Sequence, residues 1–177
     1  MISIDPEKRN DLNQRYQMPE IQLQNQGKGC HGKTTVIKNS KKLAESLSIP
    51  EDILSKMFGK LLNTSYDSKS NGFAGNFNLE KIKKHLDFII NDIVLCPNCR
   101  CPELSIPTVE KKGKKDKNWS ISYYCNGCGH KFSKLNNTFS TKIIIKYLEN
   151  SKNNWDIKKG NSVQKDLTEL NNLTFEI

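Results

Sequence analysis

The sequence predicts an α+β fold: a small mixed α/β domain behind an N-terminal arm, followed by a ribbon of short strands around four cysteines. Two observations carry this prediction. Two Cys-x-x-Cys pairs stand twenty-five residues apart in the second half of the chain. Upstream of them, β-branched stretches give way to segments in which apolar residues recur every three or four positions, as in helices with one buried face.

The two cysteine pairs have the spacing of a metal site. Each short loop brings two sulfurs to one ion, and four thiolates in a tetrahedron are a preferred ligand set for Zn²⁺. Because protein groups fill all four positions, we expect one structural zinc per chain in a zinc ribbon, with no catalysis at the metal. Gly127 and Gly129 would supply the positive backbone angles of a tight turn. The predicted ligands are Cys96, Cys99, Cys125 and Cys128.

Two alternatives for these cysteines stay open, a disulfide pair and a redox Cys-x-x-Cys site. The first residues do not resemble a signal peptide, so we expect a reducing, cytoplasmic compartment in which disulfides are uncommon. Cys101 lies two residues beyond Cys99 and could compete as a ligand. Since the spacing of 96 and 99 matches that of 125 and 128, Cys101 is interpreted as a spare thiol.

Charge and hydropathy set limits on the partners. The 177 residues carry a formal net charge of +9, and 35% of them are hydrophobic, enough for a modest core. Since no apolar run approaches the ~18–20 residues of a membrane span, we expect no membrane partner. A basic chain of this kind favours an anionic partner, most simply nucleic acid, although a generic basic surface is the alternative. We expect a monomer.

The order of patterns along the chain predicts five segments. Residues 1–20 are polar, lack periodicity and are interpreted as a flexible arm. The tail is rich in asparagine and lysine, which is typical of segments that do not fold alone. The segments after the arm are an α+β domain at 21–95, the zinc ribbon at 96–135, a closing element at 136–150 and a loose tail at 151–177.

Within the α+β domain, a hairpin and three helices are predicted. Alternation at Ile21 and Leu23, a Gly-rich turn and a β-branched run at 34–37 indicate the hairpin. The third helix runs almost directly into the first cysteine pair. Helices are predicted to begin near three residues with capping or first-turn chemistry: Ser40, Pro50 and Asn78.

The ribbon and its closing element show weaker patterns. Residues 104–106 and 121–123 alternate between apolar and polar, which predicts half-buried strands. The apolar segment 139–148 fits either a strand or a helix. These three segments place short strands between the cysteine pairs and one further element after them.

Residues 27–34 match the phosphate-loop pattern G-x-x-x-x-G-K-T. That mechanism needs a helix directly after the loop, so that the helix N-terminus faces the phosphates. Here the next residues, 35–37, favour a strand. We therefore predict a basic hairpin tip. A nucleotide site remains the alternative, and it would use Gly27, Gly32, Lys33 and Thr34.

Lysines gather at two predicted loop tips, in the hairpin and in the ribbon. Lysines at loop tips can contact nucleic-acid phosphates, and such contacts release counterions. This predicts an RNA-binding role for both tips. The lysines concerned are Lys28, Lys111, Lys112, Lys114, Lys115 and Lys117.

Four short motifs occur in the order and spacing of one family. Over about residues 12–150, the chain resembles the N-terminal domain of eukaryotic translation initiation factor 5 and, more distantly, the beta subunit of initiation factor 2. The Gly-Lys-Gly turn and the Phe-Gly pair favour factor 5. The motifs are RYQMP at 15–19, GKG at 27–29 with KT at 33–34, KMFG at 56–59 and IVLCPNC at 93–99.

The resemblance implies a translation initiation factor that stimulates GTP hydrolysis by initiation factor 2 during start-codon selection. Its partners would be initiation factor 2 with GTP and initiator tRNA, the small ribosomal subunit, and ribosomal or transfer RNA. In the family, the arginine before Met-Pro is the GTPase-activating residue, which places that role on Arg15. Lysines of the hairpin and the second helix support the activity and correspond to Lys33 and Lys56. The chain would activate a partner GTPase and not be a hydrolase itself.

The sequence also departs from the family. Gln14 stands where an aromatic residue usually precedes the arginine, Glu20 stands where a basic residue follows Met-Pro, and we expect the helical C-terminal domain of factor 5 to be absent. One alternative is therefore a non-catalytic binding module, like the beta subunit of initiation factor 2 or a decoy of factor 5. Another is a zinc-ribbon transcription factor, which the motifs outside the ribbon disfavour. The abundance of lysine, asparagine and isoleucine suggests a minimal form encoded by a virus or protist.

Overall fold

The computed structural model of the chain describes residues 1–11, 13–27, 32–67, 72–111, 119–150 and 155. Within these residues the fold is α+β, as predicted, with four α-helices and three small antiparallel sheets. None of the helices in these ranges has the length and apolar content of a membrane span.

The N-terminal residues form a two-stranded sheet, in which β1 (Ile2–Ser3) pairs with β2 (Gln17–Met18). A 3₁₀ turn, Pro6–Lys8, lies between the strands. Ile4 and Met18 are 3% and 0% exposed and belong to the same core as the helices. The segment predicted to be a flexible arm is thus packed onto the domain, and that prediction is wrong for its described residues. The reason is that two apolar side chains without periodic neighbours are enough to anchor it.

A four-stranded antiparallel sheet opens the α+β domain, and its first two strands form the predicted hairpin. The spatial order of the strands is β3-β4-β6-β5. A Cβ on Gly72 would come within 2.5 Å of the Thr34 Cγ2 atom, so the glycine lets β6 lie against β4. The four strands are β3 (Leu23–Gln26), β4 (Thr34–Ile37), β5 (Tyr66–Asp67) and β6 (Gly72–Ala74).

Four helices lie in the described ranges: α1 (Ser40–Ser46), α2 (Glu51–Leu61), α3 (Leu79–Ile89) and α4 (Phe139–Glu149). The side chain of Asn78 caps α3 by accepting a hydrogen bond from the N–H of Lys81. A π-helical turn, Ile90–Val94, then carries the chain to within two residues of the first cysteine. The alternative at 139–148 is settled in favour of a helix.

The ribbon is a three-stranded antiparallel sheet of β7 (Thr108–Lys111), β8 (Trp119–Tyr124) and β9 (Lys131–Leu135). The predicted strand at 121–123 lies within β8. Residues 104–106 form no regular strand and pair only through one bridge between Leu104 and Cys125. Sequence reasoning missed β9, although its alternation of exposed and half-buried residues is a period-two signal.

One apolar core joins the domain to the ribbon, because Ile121 and Tyr123 of β8 pack in the same cluster as the helices. Of the predicted loose tail, Trp155 is described. Its ring meets the ring of Tyr147 edge-on, at 6.0 Å between centroids. The rest of the tail lies outside the described residues. The largest fully buried side chains include Met18, Leu43, Phe58, Phe73, Leu86 and Ile90.

Candidate metal centre and partner-facing residues

The four predicted cysteine ligands gather into one cluster, in which all sulfurs lie within 4.8 Å of one another. The Sγ atoms of Cys96 and Cys128 are 3.7 Å apart, and those of Cys99 and Cys125 are 3.6 Å apart. A tetrahedral ion with Zn–S bonds of ~2.3 Å holds its sulfurs about 3.8 Å apart, so the spacing fits such an ion. A disulfide needs ~2.05 Å, so neither pair is at bonding distance.

The two cysteine loops, called knuckles here, fold in the same way. The N–H of Arg100 donates to the carbonyl of Cys96, and the N–H of Gly129 donates to the carbonyl of Cys125, each at 2.9 Å. Both donors have positive φ angles, 57° and 73° respectively. Gly127, which was expected to need a positive φ, has none. The local symmetry explains why both pairs present their sulfurs to one point.

Cys101 and His130 occupy equivalent places behind the two knuckles. Their carbonyl oxygens accept hydrogen bonds from the N–H groups of Cys96 and Cys125, at 3.1 and 2.9 Å. The His130 ring stacks on Phe132, with 5.7 Å between centroids. Neither residue belongs to the four-sulfur cluster. Both residues therefore support the knuckles through their backbone.

Backbone donors also act on the sulfurs themselves. The hydrogen bond from the N–H of His130 is the main reason that the pKa of the Cys128 thiol falls to about 7. The side-chain amide of Asn98 lies 3.7 Å from the same sulfur and acts in the same direction. By contrast, burial raises the pKa of Cys125. Because metal ligation requires thiolates, binding at this cluster would release protons and weaken in acid.

Arg15, the predicted GTPase-activating residue, has an exposed side chain just before β2. Its guanidinium carbon lies 5.4 Å from the centroid of the Tyr16 ring. None of the ion pairs among the described residues involves Arg15. Gln17 and Met18, two and three residues after Arg15, are paired with β1 in the sheet. The Arg15 guanidinium is therefore exposed, while the backbone just after it is fixed by the pairing of β2 with β1.

The described part of the phosphate-loop pattern has the geometry of a hairpin. Gly27 and Gly32 have φ angles of 100° and 86°, and a Cβ on Gly27 would come within 2.5 Å of the Gly32 carbonyl oxygen. Lys33 is exposed, and Thr34 begins a strand where a nucleotide site requires a helix. The hairpin itself therefore accounts for both glycines, while residues 28–31 lie outside the described residues.

Lys56, the second predicted supporting lysine, lines an open groove of about 820 Å³ between α2 and α4. Lys60 and Lys146 line the same groove. The Lys56 Nζ atom is 5.9 Å from the centroid of the Tyr147 ring. No ion pair among the described residues neutralises these three lysines. The groove thus presents positive charge beside an aromatic side chain.

The predicted RNA-binding lysines stay a prediction. Lys111 is the last residue of β7. The other members of the set lie outside the described residues; they are Lys28, Lys112, Lys114, Lys115 and Lys117.

Sequence reasoning missed a set of polar contacts that join the N-terminal segment to the ribbon. Arg100 donates to the carboxylate of Asp5, and the hydroxyl of Tyr16 donates to the carboxylate of Glu103. These partners stand 95 and 87 positions apart, so no local pattern could find them. The one available signal was rarity, since Arg100 is one of three arginines in the sequence.

The fold and the cysteine cluster define a class of protein: a small α+β domain whose third helix leads into a four-cysteine ribbon. Residues 6–131 match the family described as a domain found in initiation factors 2B and 5. This match covers more than half of the chain, and the chain belongs to that family.

Individual relatives confirm the resemblance. The chain is 35% identical to eukaryotic translation initiation factor 5 of Drosophila melanogaster over 139 residues, which are 76% of this chain and 28% of the fly protein. It is 34% identical to the probable factor 5 of Schizosaccharomyces pombe, over 66% of this chain and 29% of that protein. It is 26% identical to translation initiation factor 2 subunit beta of Methanopyrus kandleri, covering 75% of that subunit. The chain therefore spans less than a third of these factor 5 relatives.

Proposed function

We propose that this chain acts in translation initiation as a factor 5-like protein that stimulates GTP hydrolysis by initiation factor 2 on the small ribosomal subunit, during start-codon selection. Membership of the family and the factor 5 relatives support the proposal. One observation carries it further. The resemblance implies that Arg15 takes the family's activating position, and its side chain is exposed with no ion-pair partner among the described residues.

In this proposal, Arg15 enters the nucleotide site of the partner GTPase. Its planar guanidinium spreads positive charge over the phosphoryl oxygens, which carry shared charge in the transition state. An arginine supplied in this way speeds hydrolysis by roughly 10³–10⁵-fold. In this proposal the partner GTPase holds the nucleotide, and this chain supplies the arginine. Lys33 and Lys56 support the reaction from the hairpin and from the basic groove, where they hold an acidic surface of the complex.

We also assign one structural Zn²⁺ to the four-cysteine cluster. Thiolate ligands favour a soft or borderline ion over Mg²⁺ or Ca²⁺, and the sulfur spacing suits zinc. When bound, the ion would cross-link the two knuckles. Because four protein sulfurs complete its tetrahedron, no position is left for a substrate.

The basic tips are proposed to meet ribosomal or transfer RNA. Such contacts make affinity fall steeply as salt rises, because phosphate neutralisation releases counterions. Replacing the five ribbon-tip lysines by alanine should flatten the salt dependence of binding to small subunits. Five exposed lysines elsewhere form a control set of equal charge: Lys38, Lys41, Lys42, Lys81 and Lys84. Equal salt slopes for the wild type and the ribbon-tip variant would place the RNA contact on another surface.

The test of the central proposal is single-turnover GTP hydrolysis in initiation complexes that contain initiation factor 2, initiator tRNA and small subunits. We expect Arg15→Ala to abolish stimulation while partner binding stays near wild type. Arg15→Lys should recover little, because lysine keeps the charge but loses the fork. Lys41→Ala, at an exposed position of α1, is the control for charge loss. Equal rates for wild type and Arg15→Ala would remove the activating role from Arg15.

A second candidate function rests on the similarity to the beta subunit. The chain is 26% identical to translation initiation factor 2 subunit beta of Methanopyrus kandleri, which favours a binding module of the beta type as the alternative. In the same assay this module would bind initiation factor 2 without accelerating hydrolysis. Binding without stimulation by the wild-type chain would therefore favour the second function.

A further inference from the structure

The chain between β1 and β2, residues 4–16, is described except for residue 12, and it forms a loop that ends one residue after Arg15. Pairing of Ile2 with Met18 and of Ser3 with Gln17 closes its base. A further hydrogen bond runs from the N–H of Ile4 to the carbonyl of Tyr16, at 3.0 Å. We call this segment the N-terminal loop. The closed base restrains the backbone of the predicted activating residue from one side.

A residue of the first knuckle holds the N-terminal loop from the other side. Arg100 follows Cys99 directly, and its Nε and Nη2 atoms donate to the carboxylate of Asp5 at 3.0 and 2.6 Å. Its Nη1 atom lies 3.2 Å from a Glu7 carboxylate oxygen. The Asp5 side chain is 6% exposed and also accepts from the N–H of Glu7, which caps the 3₁₀ turn. A planar fork on one carboxylate fixes direction as well as distance.

The second link lies directly beside Arg15. The hydroxyl of Tyr16 donates to the carboxylate of Glu103, in the connection between the first knuckle and β7. The backbone of Glu103 is itself fixed, because its carbonyl accepts from the N–H of Asn126 in the second knuckle at 2.8 Å. The Arg15 guanidinium carbon lies 5.4 Å from the centroid of the Tyr16 ring. The ring beneath the arginine is therefore tied to both cysteine loops.

We propose that Arg100 and Glu103 are positioning residues for Arg15: through Asp5 and Tyr16 they fix the N-terminal loop to the cysteine ribbon, which presents the guanidinium from a rigid base. This inference rests on the proposed activating role of Arg15. Its physical basis is pre-organisation. A catalytic group held in place before the partner arrives loses less conformational freedom on docking, and misplacement by 1 Å can cost about 10²-fold in rate.

Two substitutions release the links without touching Arg15. Arg100→Ala deletes the fork, while alanine at the same left-handed φ carries strain similar to that of arginine. Tyr16→Phe deletes the hydroxyl but keeps the ring beneath the guanidinium. The matched control is Lys134→Ala, which breaks the ribbon's ion pair with Asp92 in the π-helical turn, far in sequence from the N-terminal loop. Metal content of every variant shows whether the cysteine site survives.

The first measurement is amide hydrogen exchange of the N-terminal loop in the full chain. We expect Arg100→Ala with Tyr16→Phe to raise exchange of residues 4–16 by at least about tenfold, while Lys134→Ala leaves it at the wild-type rate. The second is stimulated hydrolysis at varied factor concentration. The double variant should lower the maximal rate by about 10–100-fold and keep the half-saturating concentration within about twofold, because the docking surfaces are intact. With Tyr16→Phe kept, Arg100→Lys in place of Arg100→Ala should restore part of the maximal rate.

The two measurements separate the possible failures. Unchanged exchange in the double variant would overturn the inference, since the links would not hold the loop. Raised exchange with a wild-type maximal rate would overturn it as well, since Arg15 would not need the fixed base. If the wild-type chain itself gives no stimulation, it is the proposed function that fails. The exchange experiment alone then decides whether Arg100 and Glu103 hold the segment.

Discussion

The helical part of the domain and the ribbon are stabilised by different chemistry. Helices α1 to α4, together with the π-helical turn, contribute more than half of the buried apolar side chains of the core. In the described part of the ribbon, the buried apolar side chains other than cysteine are Pro107, Ile121 and Tyr123. Apolar burial supplies roughly 25 cal/mol per Å², so the helical part can hold itself together. The ribbon must rely on its cysteine cluster and on its docking to the helices.

This difference explains where the polar links occur. The N-terminal segment joins the ribbon through ion pairs and hydrogen bonds, because few apolar side chains are available there. Polar links specify a geometry but contribute little net free energy each, about 1–3 kcal/mol when charged. The molecule therefore combines a helical part fixed by packing with a four-cysteine ribbon that is joined by polar contacts to the segment carrying the exposed Arg15.

The largest effect should follow from breaking the cysteine cluster. Cys99→Ser with Cys125→Ser should abolish metal binding and unfold the ribbon, because a structural zinc contributes about 10–16 kcal/mol in zinc-finger peptides. Amides in α2 and α3 should stay protected, since their core does not depend on the sulfurs. Metal analysis and residue-resolved hydrogen exchange measure the two outcomes separately.

Cys101→Ser is the matched control for that experiment. Its sulfur lies outside the four-sulfur cluster, and its contribution to the first knuckle is a backbone carbonyl that serine keeps. We expect one metal ion per chain in this variant. Loss of metal from Cys101→Ser, with retention in the double variant, would mean that the ligand set has been assigned wrongly.

The next largest effect should follow from a substitution in the core of the helical part. Phe58 is 1% exposed and meets the Phe73 ring edge-on, at 6.0 Å between centroids. Phe58→Ala should lower the free energy of unfolding by about 3–5 kcal/mol through lost burial and a cavity. Phe88→Ala, at a side chain 48% exposed, should change it by only about 0.5 kcal/mol. Denaturant unfolding measures both.

The metal content of Phe58→Ala tests whether the ribbon folds independently of the helical part. If the ribbon folds by metal binding, Phe58→Ala should still bind one ion per chain in buffer without denaturant. If Phe58→Ala keeps its helices but loses its metal, the two regions are not stabilised independently, because the packed core of the helical part would then be needed to assemble the cysteine site.

The sequence predicted the elements whose signals are local. The cysteine spacing, the Asn78 cap and the β-branched run at 34–37 each fix a structure within a few residues, and the structure has the cluster, the cap and the strand there. The strand β9 was overlooked because its alternation is mostly polar. Period-two patterns lose contrast when neither face is strongly apolar.

The N-terminal segment could not be predicted by the same means. Its anchors are single residues, Ile4 and Met18, and its partners, Arg100 and Glu103, are distant in sequence. Nothing in the local composition of residues 1–20 distinguishes a docked segment from a free arm. Long-range pairing of this kind follows from the folded surface, so it needs the structure.

A smaller effect tests the link between the two regions through pH. The hydrogen bonds from Arg100 are the main cause that lowers the pKa of Asp5 below its usual value. A carboxyl with a depressed folded-state pKa contributes stability above its unfolded pKa of ~3.9, and this stability is lost as pH falls through the folded value. Asp5→Asn should therefore cost about 1–3 kcal/mol at pH 7, and the difference from wild type should shrink below about pH 4. Urea titrations at several pH values measure this difference.

Asp11→Asn is the control for that titration. The pKa of Asp11 is also lowered, but by its hydrogen bonds with the neighbouring Gln14 and Asn13 in an exposed turn. Its loss should leave the link to the ribbon intact and change stability less than Asp5→Asn does at pH 7. If both variants gave the same profile, the Asp5–Arg100 pair would contribute nothing beyond local turn structure.

The smallest expected effect concerns nucleotide. The 27–34 pattern lacks the helix terminus that a phosphate loop uses, because Thr34 begins β4, and the hairpin geometry accounts for Gly27 and Gly32. Titration of labelled GTP with Mg²⁺ into the isolated chain should therefore give no saturable micromolar binding. Lys33→Ala should leave any weak signal unchanged. Magnesium-dependent micromolar affinity that disappears in Lys33→Ala would show that residues 28–31 complete a phosphate site. The proposal that the partner binds the nucleotide and this chain supplies only the arginine would then be wrong.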